Sequence, residues 1–305
     1  MHDAQSSTNT TQSAAASGST PEVGYVLGST DPERHRLVRQ AQALHAITYD
    51  AFRAAGIAPG MRVLDIGCGA GDVAMLTANL VGPAGTVVAL DRDPANLAFA
   101  RERATQANLP NIEFRESDIL HFADAAKPFD AIVGRYILLF LPDRVAALRH
   151  LLTSLKPGGI VAFIEPDFSL PFRSEPHAPL YSKATEWARA VIRANHVNMD
   201  SGPGLLRVFR EAGLARTKMD CRTILGGGTE SEVYELFTAV LRSLLPAIEA
   251  HKIATREDVD IDTLEQRIRA EAIELGSVLF GYTNFAAWAV KPQPHAPTQS
   301  RRRHE

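Results

Sequence analysis

Apolar positions come in two rhythms along the chain. Short runs rich in apolar residues stand at 61–66, 86–90, 112–115, 129–133 and 160–165. Compact runs of this kind predict strands buried on both faces. Longer amphipathic segments alternate with them and predict helices over 31–55, 72–81, 94–107 and 143–155. Gly56 ends the first helix, Gly82-Pro83 the second, and Lys156-Pro-Gly-Gly159 turns the chain into the fifth strand. The alternation predicts an α/β fold with a doubly wound, mostly parallel sheet.

After residue 165 the rhythm changes. The stretch 166–179 is proline-rich and reads as irregular. Helices are expected at 180–196, 203–212, 230–250 and 262–275, and strands at 215–225 and 277–290, the last broken by a bend. Residues 1–20 and 291–305 are polar, low-complexity segments expected to be disordered tails. This gives a helical lid at 21–60 and a core at 61–166. Residues 167–290 then complete the sheet and supply a helical cover for an acceptor site.

Composition narrows the class. With 45% hydrophobic and 22% charged residues among 305, the chain reads as an ordinary soluble globular protein. No run approaches the roughly 18 apolar residues of a membrane span. The first residues lack the basic start and apolar stretch of a signal peptide, so the expectation is cytoplasmic, with no membrane partner. A net charge of −3 and a pI near 6.4 argue against a nucleic-acid partner, and the Arg301-Arg-Arg cluster reads as a solvated tail. Two distant cysteines, Cys68 and Cys221, suggest neither a disulfide framework nor a zinc site, and no carboxylate cluster suggests a divalent metal.

The chemistry concentrates in Val63-Leu-Asp-Ile-Gly-Cys-Gly-Ala-Gly-Asp72, between a strand and a helix. Glycines there let the backbone bend and a ligand approach closely. Their spacing misses the dinucleotide pattern G-x-G-x-x-G, and no Lys-Ser/Thr follows as in a phosphate-binding loop. Asp65 and Asp72 flank the turn; both would repel a pyrophosphate and suit a cationic ligand. Asp91 ends the second strand, twenty residues beyond Gly71, where an acid can accept from ribose hydroxyls; Arg92 follows it. Asp118 and Ile119, after the third strand, could accept from an adenine amino group and pack on its ring. Cys68 reads as a small space-filler within the loop, not a nucleophile.

These segments, with Phe129-Asp-Ala-Ile-Val133 and Leu155-Lys-Pro-Gly-Gly159, occur in an order that resembles the core of the class I S-adenosylmethionine-dependent methyltransferases, particularly the small-molecule, ubiquinone-biosynthesis branch. The resemblance covers about a third of the chain. It implies a seven-stranded sheet with the last strand antiparallel, and methyl transfer that releases S-adenosylhomocysteine. It implies that Asp65, Gly67, Cys68 and Gly69 line the methionine part, that Asp91 and Arg92 lie at the ribose, and that Asp118 and Ile119 hold adenine. Arg135 is implied near the cofactor, and Tyr25 in a lid that closes over it.

The acceptor site is less legible. Ligands of open α/β sheets lie beyond the carboxyl ends of the strands. That places Tyr136, Glu165 and Asp167 on the functional edge, Tyr136 and Asp167 as acceptor contacts and Glu165 as a base. His196 is the candidate base and acceptor contact of the added segment, and Tyr25 could also touch the acceptor. Phe168, Phe172, Trp187, Phe237 and Leu241 could wall an apolar pocket for a hydrophobic or aromatic metabolite. The cover helices offer a face for a homodimer. Two other readings stay open: a non-catalytic or repurposed S-adenosylmethionine binder, such as a cyclase or scaffold, and, against the glycine spacing, an NAD-dependent oxidoreductase.

Overall fold

A computed structural model describes residues 31–124 and 126–293. Tyr25, the N-terminal tail and residues 294–305 lie outside the described residues; Lys291, expected to begin the C-terminal tail, instead donates to the carbonyls of Leu152 and Leu155. The chain enters through α1 (Asp31–Ala43) and α2 (His45–Ala55). One helix was expected here. The chain turns at Leu44, which is 1% exposed and anchors the junction. Gly56 then closes α2 in the left-handed conformation, its amide donating to the carbonyls of Phe52 and Arg53, as a helix C-terminus requires.

The core follows as β1 (Arg62–Ile66), α3 (Asp72–Val81), β2 (Thr86–Asp91), α4 (Pro94–Gln106), β3 (Ile112–Glu116), β4 (Phe129–Arg135), α5 (Arg144–Leu152) and β5 (Leu155–Asp167). Then come β6 (Arg173–Glu175), α6 (Pro179–Ala194), α7 (Ser201–Glu211), β7 (Lys218–Gly226), α8 (Val233–Ala250), α9 (Arg256–Val259), α10 (Ile261–Leu275) and β8 (Val278–Val290). The sheet order is β3-β2-β1-β4-β5-β8-β6, with β7 on the other edge of β8. β1 to β5 are mutually parallel, and β8 is antiparallel to its neighbours.

The sheet therefore has eight strands, not seven. The extra one, β6, arises inside the stretch expected to be irregular, and β5 runs on to Asp167. β8 is one uninterrupted strand; the irregularity expected in it falls on its partner, as a register shift between Thr223 and Leu225 of β7.

Strand alternation sorts side chains to two faces. Leu64, Ile66, Val88, Ile132, Val161, Phe163 and Ala287 pack against α5 and α7. Val63, Val87, Ala89, Val133, Ile164 and Ala286 pack against α2 and α3. Fully buried side chains such as Phe52 and Phe163 are each worth about 1.5–3 kcal/mol of apolar transfer, so both layers must close for the sheet to persist. A third cluster, including Tyr181, Trp187, Leu241 and Leu264, holds the cover helices α6, α8 and α10 together. Among the described residues no helix is long and apolar enough to cross a membrane.

Candidate active site

β1 ends in the glycine loop. Gly67, Gly69 and Gly71 all have positive φ, at 65°, 51° and 85°. A β-carbon on Gly67 would lie 2.5 Å from the Ile137 side chain, whereas one on Gly69 would meet nothing closer than Leu37 at 3.9 Å. The first glycine is thus required by packing beneath the loop, and the second leaves room on its open side. Asp91, at the end of β2, accepts from the Gly69 amide at 2.8 Å with one oxygen and from the Asp93 amide at 2.9 Å with the other. Asp93 caps α4, so Asp91 is not spent on that helix. Each of its oxygens keeps a lone pair for further donors.

Asp65 lies beneath this loop, 1% exposed, and neither carboxylate oxygen has a hydrogen-bond partner. Burial raises its pKa well above the ordinary range; Arg135 opposes the rise, while Asp91 and Asp72 add to it. A buried carboxylate with both oxygens unsatisfied is costly unless a cation completes it. The ammonium of S-adenosylmethionine supplies such a donor, so the residues present fit that cofactor. Asp72 is a correction to the expected pair of ligand-facing acids. Its carboxylate accepts from Arg103 of α4 at 2.7 Å, and the same guanidinium donates to the carbonyl of Ala70. Its charge is spent bracing the loop.

The face bearing Asp65 carries the rest of the site. Asp65 pairs with Val133 in register, and alternation brings Arg135 to the same side, where it donates to Thr48 of α2 at 2.8 Å. Tyr136 would by alternation fall on the opposite face. Its positive φ of 58° turns the ring back, and it packs with the cluster under α2. Its hydroxyl donates to Asn284 of β8. Around it stands an aromatic wall. The Tyr282 ring lies 6.0 Å from Tyr136, 5.1 Å from Phe168 and 5.9 Å from Phe172, and Phe172 continues to Phe237 at 6.4 Å. Of the expected wall residues Phe168, Phe172 and Phe237 are in it, whereas Trp187 and Leu241 belong to the core of the cover.

The residues expected at adenine stand in a more open region. Asp118 is exposed and accepts from the Leu120 amide at 2.7 Å. Ile119 is 8% exposed and packs into the core with Leu64 and Leu90, while Leu120 beside it is 41% exposed. Arg92 is on the surface. Cys68 is buried, and burial raises its thiol well above the ordinary value, which suits a filler.

Two expected bases stand elsewhere. Glu165 follows the alternation of Val161 and Phe163, so it hangs from the face opposite Asp65. It is fully buried and accepts from the amides of Ile137, Leu138 and Leu139 and from the Ser201 hydroxyl. Burial pushes its carboxyl up to about 7 against those four donors. It organises the β4 exit from the face opposite Asp65. His196 is exposed in the turn after α6, with φ at 56° and its amide on the carbonyl of Arg193. The structure does not bring it to the Asp65 face. Asp167 takes both the amide and the hydroxyl of Ser169, a local turn. The residues missed were Gln40, Thr48, Tyr282 and Asn284. Only period-two alternation through β8 could have put Tyr282 and Asn284 on one side.

The methyltransferase domain profile matches residues 57–239, more than half of the chain. The chain is 34% identical over 169 residues to aklanonic acid methyltransferase DauC of Streptomyces sp. (strain C5), covering 52% of this chain and 77% of that one. It is 41% identical over 108 residues to the 2-phytyl-1,4-naphtoquinone methyltransferase of Synechococcus elongatus, covering 35% of this chain and 46% of that one, about half that relative's length. The crystal structure of the YcgJ protein from Bacillus subtilis superposes with a TM-score of 0.56 at 18% identity, over 83% of this chain and 99% of that one, a likeness of fold. The glycine loop, the buried Asp65 carboxylate and these matches agree: the chain belongs to the methyltransferase-domain family, the S-adenosylmethionine-dependent enzymes that act on small molecules.

Proposed function

We propose that the chain transfers a methyl group to a small aromatic or otherwise apolar acceptor, held on the Asp65 face of the sheet beneath α1 and α2. The observation that carries this reading is the position of the unsatisfied Asp65 carboxylate on the same face as the aromatic wall around Tyr282. When bound, the cofactor supplies a sulfonium-activated methyl group; the new bond to the acceptor forms as the carbon–sulfur bond breaks, the acceptor's proton goes to solvent and S-adenosylhomocysteine leaves.

The chain's part is alignment. Asp65 takes the ammonium, and Asp91, already fixed by Gly69 and Asp93, takes the ribose hydroxyls with its remaining lone pairs. Asp118 accepts from the adenine amino group, and Arg135, tied to Thr48, joins the cofactor pocket to α2. Residues 31–55 serve as the lid, with the Leu37 side chain against the Gly69 loop and Gln40 on Tyr282. The segment from 167 onward covers the acceptor with rings. A quinone ring, as named for the Synechococcus relative, suits such a wall.

Aromatic and polyketide-like metabolites incubated with S-adenosylmethionine, scored by S-adenosylhomocysteine release, test the reading. At least one acceptor should raise release well above background. Tight cofactor binding with no acceptor response across the panel would favour a non-catalytic binder, and NAD binding without any S-adenosylmethionine response would overturn the cofactor assignment too.

A further inference from the structure

Glu165 is a buried acid that the proposed chemistry leaves idle, and its surroundings give it a task. Pairing of β4 with β5 ends at Arg135–Ile164, and the Tyr136 amide still reaches the Ile164 carbonyl at 2.9 Å. Beyond it the backbone turns away, and the next three amides converge on one side chain. One Glu165 oxygen accepts from Ile137 at 3.0 Å and from Leu138 at 2.8 Å. The other accepts from Leu139 at 3.2 Å and from the Ser201 hydroxyl at 3.0 Å. Four donors need four acceptor positions, which an ionised carboxylate offers and a neutral amide does not. Glu165 itself stands on firm ground. β5 stays paired with β8 as far as Asp167–Thr283, and β6 resumes the pairing at Arg173–Phe280. The start of α7 presses on the same residue, since a β-carbon on Gly202 would lie 2.9 Å from the Glu165 carbonyl oxygen.

The residue held in this way carries the position onward. The Ile137 side chain is seated between two glycines. A β-carbon on Gly67, at the exit of β1, would lie 2.5 Å from it, and one on Gly134, in β4, would lie 3.0 Å from it. Each strand gives up its side chain at this level, which lets Ile137 approach both backbones. Ile137 also packs against the cluster that contains Leu64 and Ile66. A side chain seated without slack transmits a displacement of its own backbone to what it touches. Gly67 opens the loop whose next glycine, Gly69, is bound to Asp91 at 2.8 Å. The carboxylate of β5 and the glycine loop of β1 are therefore joined through one side chain.

We propose that Glu165 and Ile137 are positioning residues for the methyl donor. The carboxylate fixes the backbone at the β4 exit, and the Ile137 side chain sets the Gly67 turn. This rests on the function proposed above, in which the glycine loop carries the cofactor. Both residues act through the loop and not by contact with the ligand.

The test titrates the full chain with S-adenosylhomocysteine by calorimetry, each variant first checked for a folded thermal melt. Glu165→Ala and Ile137→Ala should each weaken binding about 10-fold. The double variant should be weakened about 10- to 20-fold and not about 100-fold, because the two act along one route. Glu165→Gln keeps an oxygen for the Ile137 and Leu138 amides and should recover to within about threefold of wild type. Leu264→Ala, a destabilising truncation in the core of the cover helices, should leave affinity within about twofold. Wild-type affinity in Glu165→Ala or in Ile137→Ala would overturn the proposal. So would an additive double variant, a Glu165→Gln as weak as Glu165→Ala, or an equal loss in Leu264→Ala. If Glu165→Ala does not fold, Ile137→Ala decides by the same criterion. Absence of S-adenosylhomocysteine binding to wild type would instead defeat the reading of the glycine loop as the cofactor site.

Discussion

The amide of Gly69 donates to the carboxylate of Asp91 at 2.8 Å, so the tip of the glycine loop and the end of β2 move as one piece. A ligand contact made by either is therefore set by both. Asp91→Ala should lower S-adenosylmethionine affinity roughly 10- to 100-fold, the worth of losing charge-assisted hydrogen bonds. Asp91→Asn, which keeps one acceptor, should fall between. Calorimetry on both variants checks the order; equal affinity in Asp91→Ala and wild type would remove Asp91 from the site.

Asp65→Asn should move stability and binding in opposite directions. Without ligand, a buried carboxylate with no partner is a liability, and its removal should stabilise the protein by about 1 kcal/mol or more at neutral pH. Cofactor affinity should drop at least tenfold, because the ammonium loses its counter-charge. The pH dependence follows from the raised pKa. The folded protein holds the Asp65 proton above the unfolded value, so this contribution to stability is full below 3.8 and fades as pH rises through the raised value. Cofactor affinity does the reverse and increases with pH, because the cation needs the ionised form. Both trends should flatten in Asp65→Asn.

The two glycines should separate a packing role from a ligand role. Gly67→Ala sets a β-carbon 2.5 Å from Ile137 at a φ of 65°, and should cost roughly 1–3 kcal/mol in a denaturation experiment. Gly69→Ala has room, so its cost should stay near 1 kcal/mol, mostly backbone strain. Its cofactor affinity should nonetheless fall more than that of Gly67→Ala, since the added methyl stands on the open side of the loop.

Glu165 should behave as a structural acid. A carboxyl at 4.5 in the unfolded chain and about 7 in the fold gives stability that is full below 4.5 and lost as pH rises to about 7, in total about 3 kcal/mol. Denaturant unfolding at pH 4.5 and pH 7.5 should show that loss in wild type and not in Glu165→Gln. Glu165→Ala leaves the amides of residues 137–139 without an acceptor and should cost about 2–4 kcal/mol at either pH. A catalytic base would instead spare stability and abolish turnover.

Much of this was legible in the sequence, for identifiable reasons. The parallel core announces itself because strands buried on both faces read as continuous apolar runs, and Asp65, Asp91 and the glycines sit at strand ends where ligands collect. β6 was hidden because three residues, Arg173–Glu175, carry no periodic signal and pair only where β8 outruns β5. The face of Glu165 was not legible because an acid at a strand end says nothing about which side it hangs from; one position in the alternation decides that. Tyr136 breaks the alternation altogether through its left-handed backbone, which no pattern of polar and apolar residues encodes. The break at Leu44 escaped because both halves of 31–55 are helix-forming.

The interval in β8 between its pairing with β5 and with β6 has a consequence for how such an enzyme can change. Sheet hydrogen bonds do not run through the Phe168–Phe172 connection on that edge, so its length and side chains can be exchanged without disturbing the register of either neighbour. The half proposed to hold the methyl donor is riveted by contacts from β1, β2, α3 and α4, and tolerates little. The half proposed to cover the acceptor is closer to a replaceable cartridge, whose rings can be swapped for others while Tyr282 stays fixed on the strand behind them.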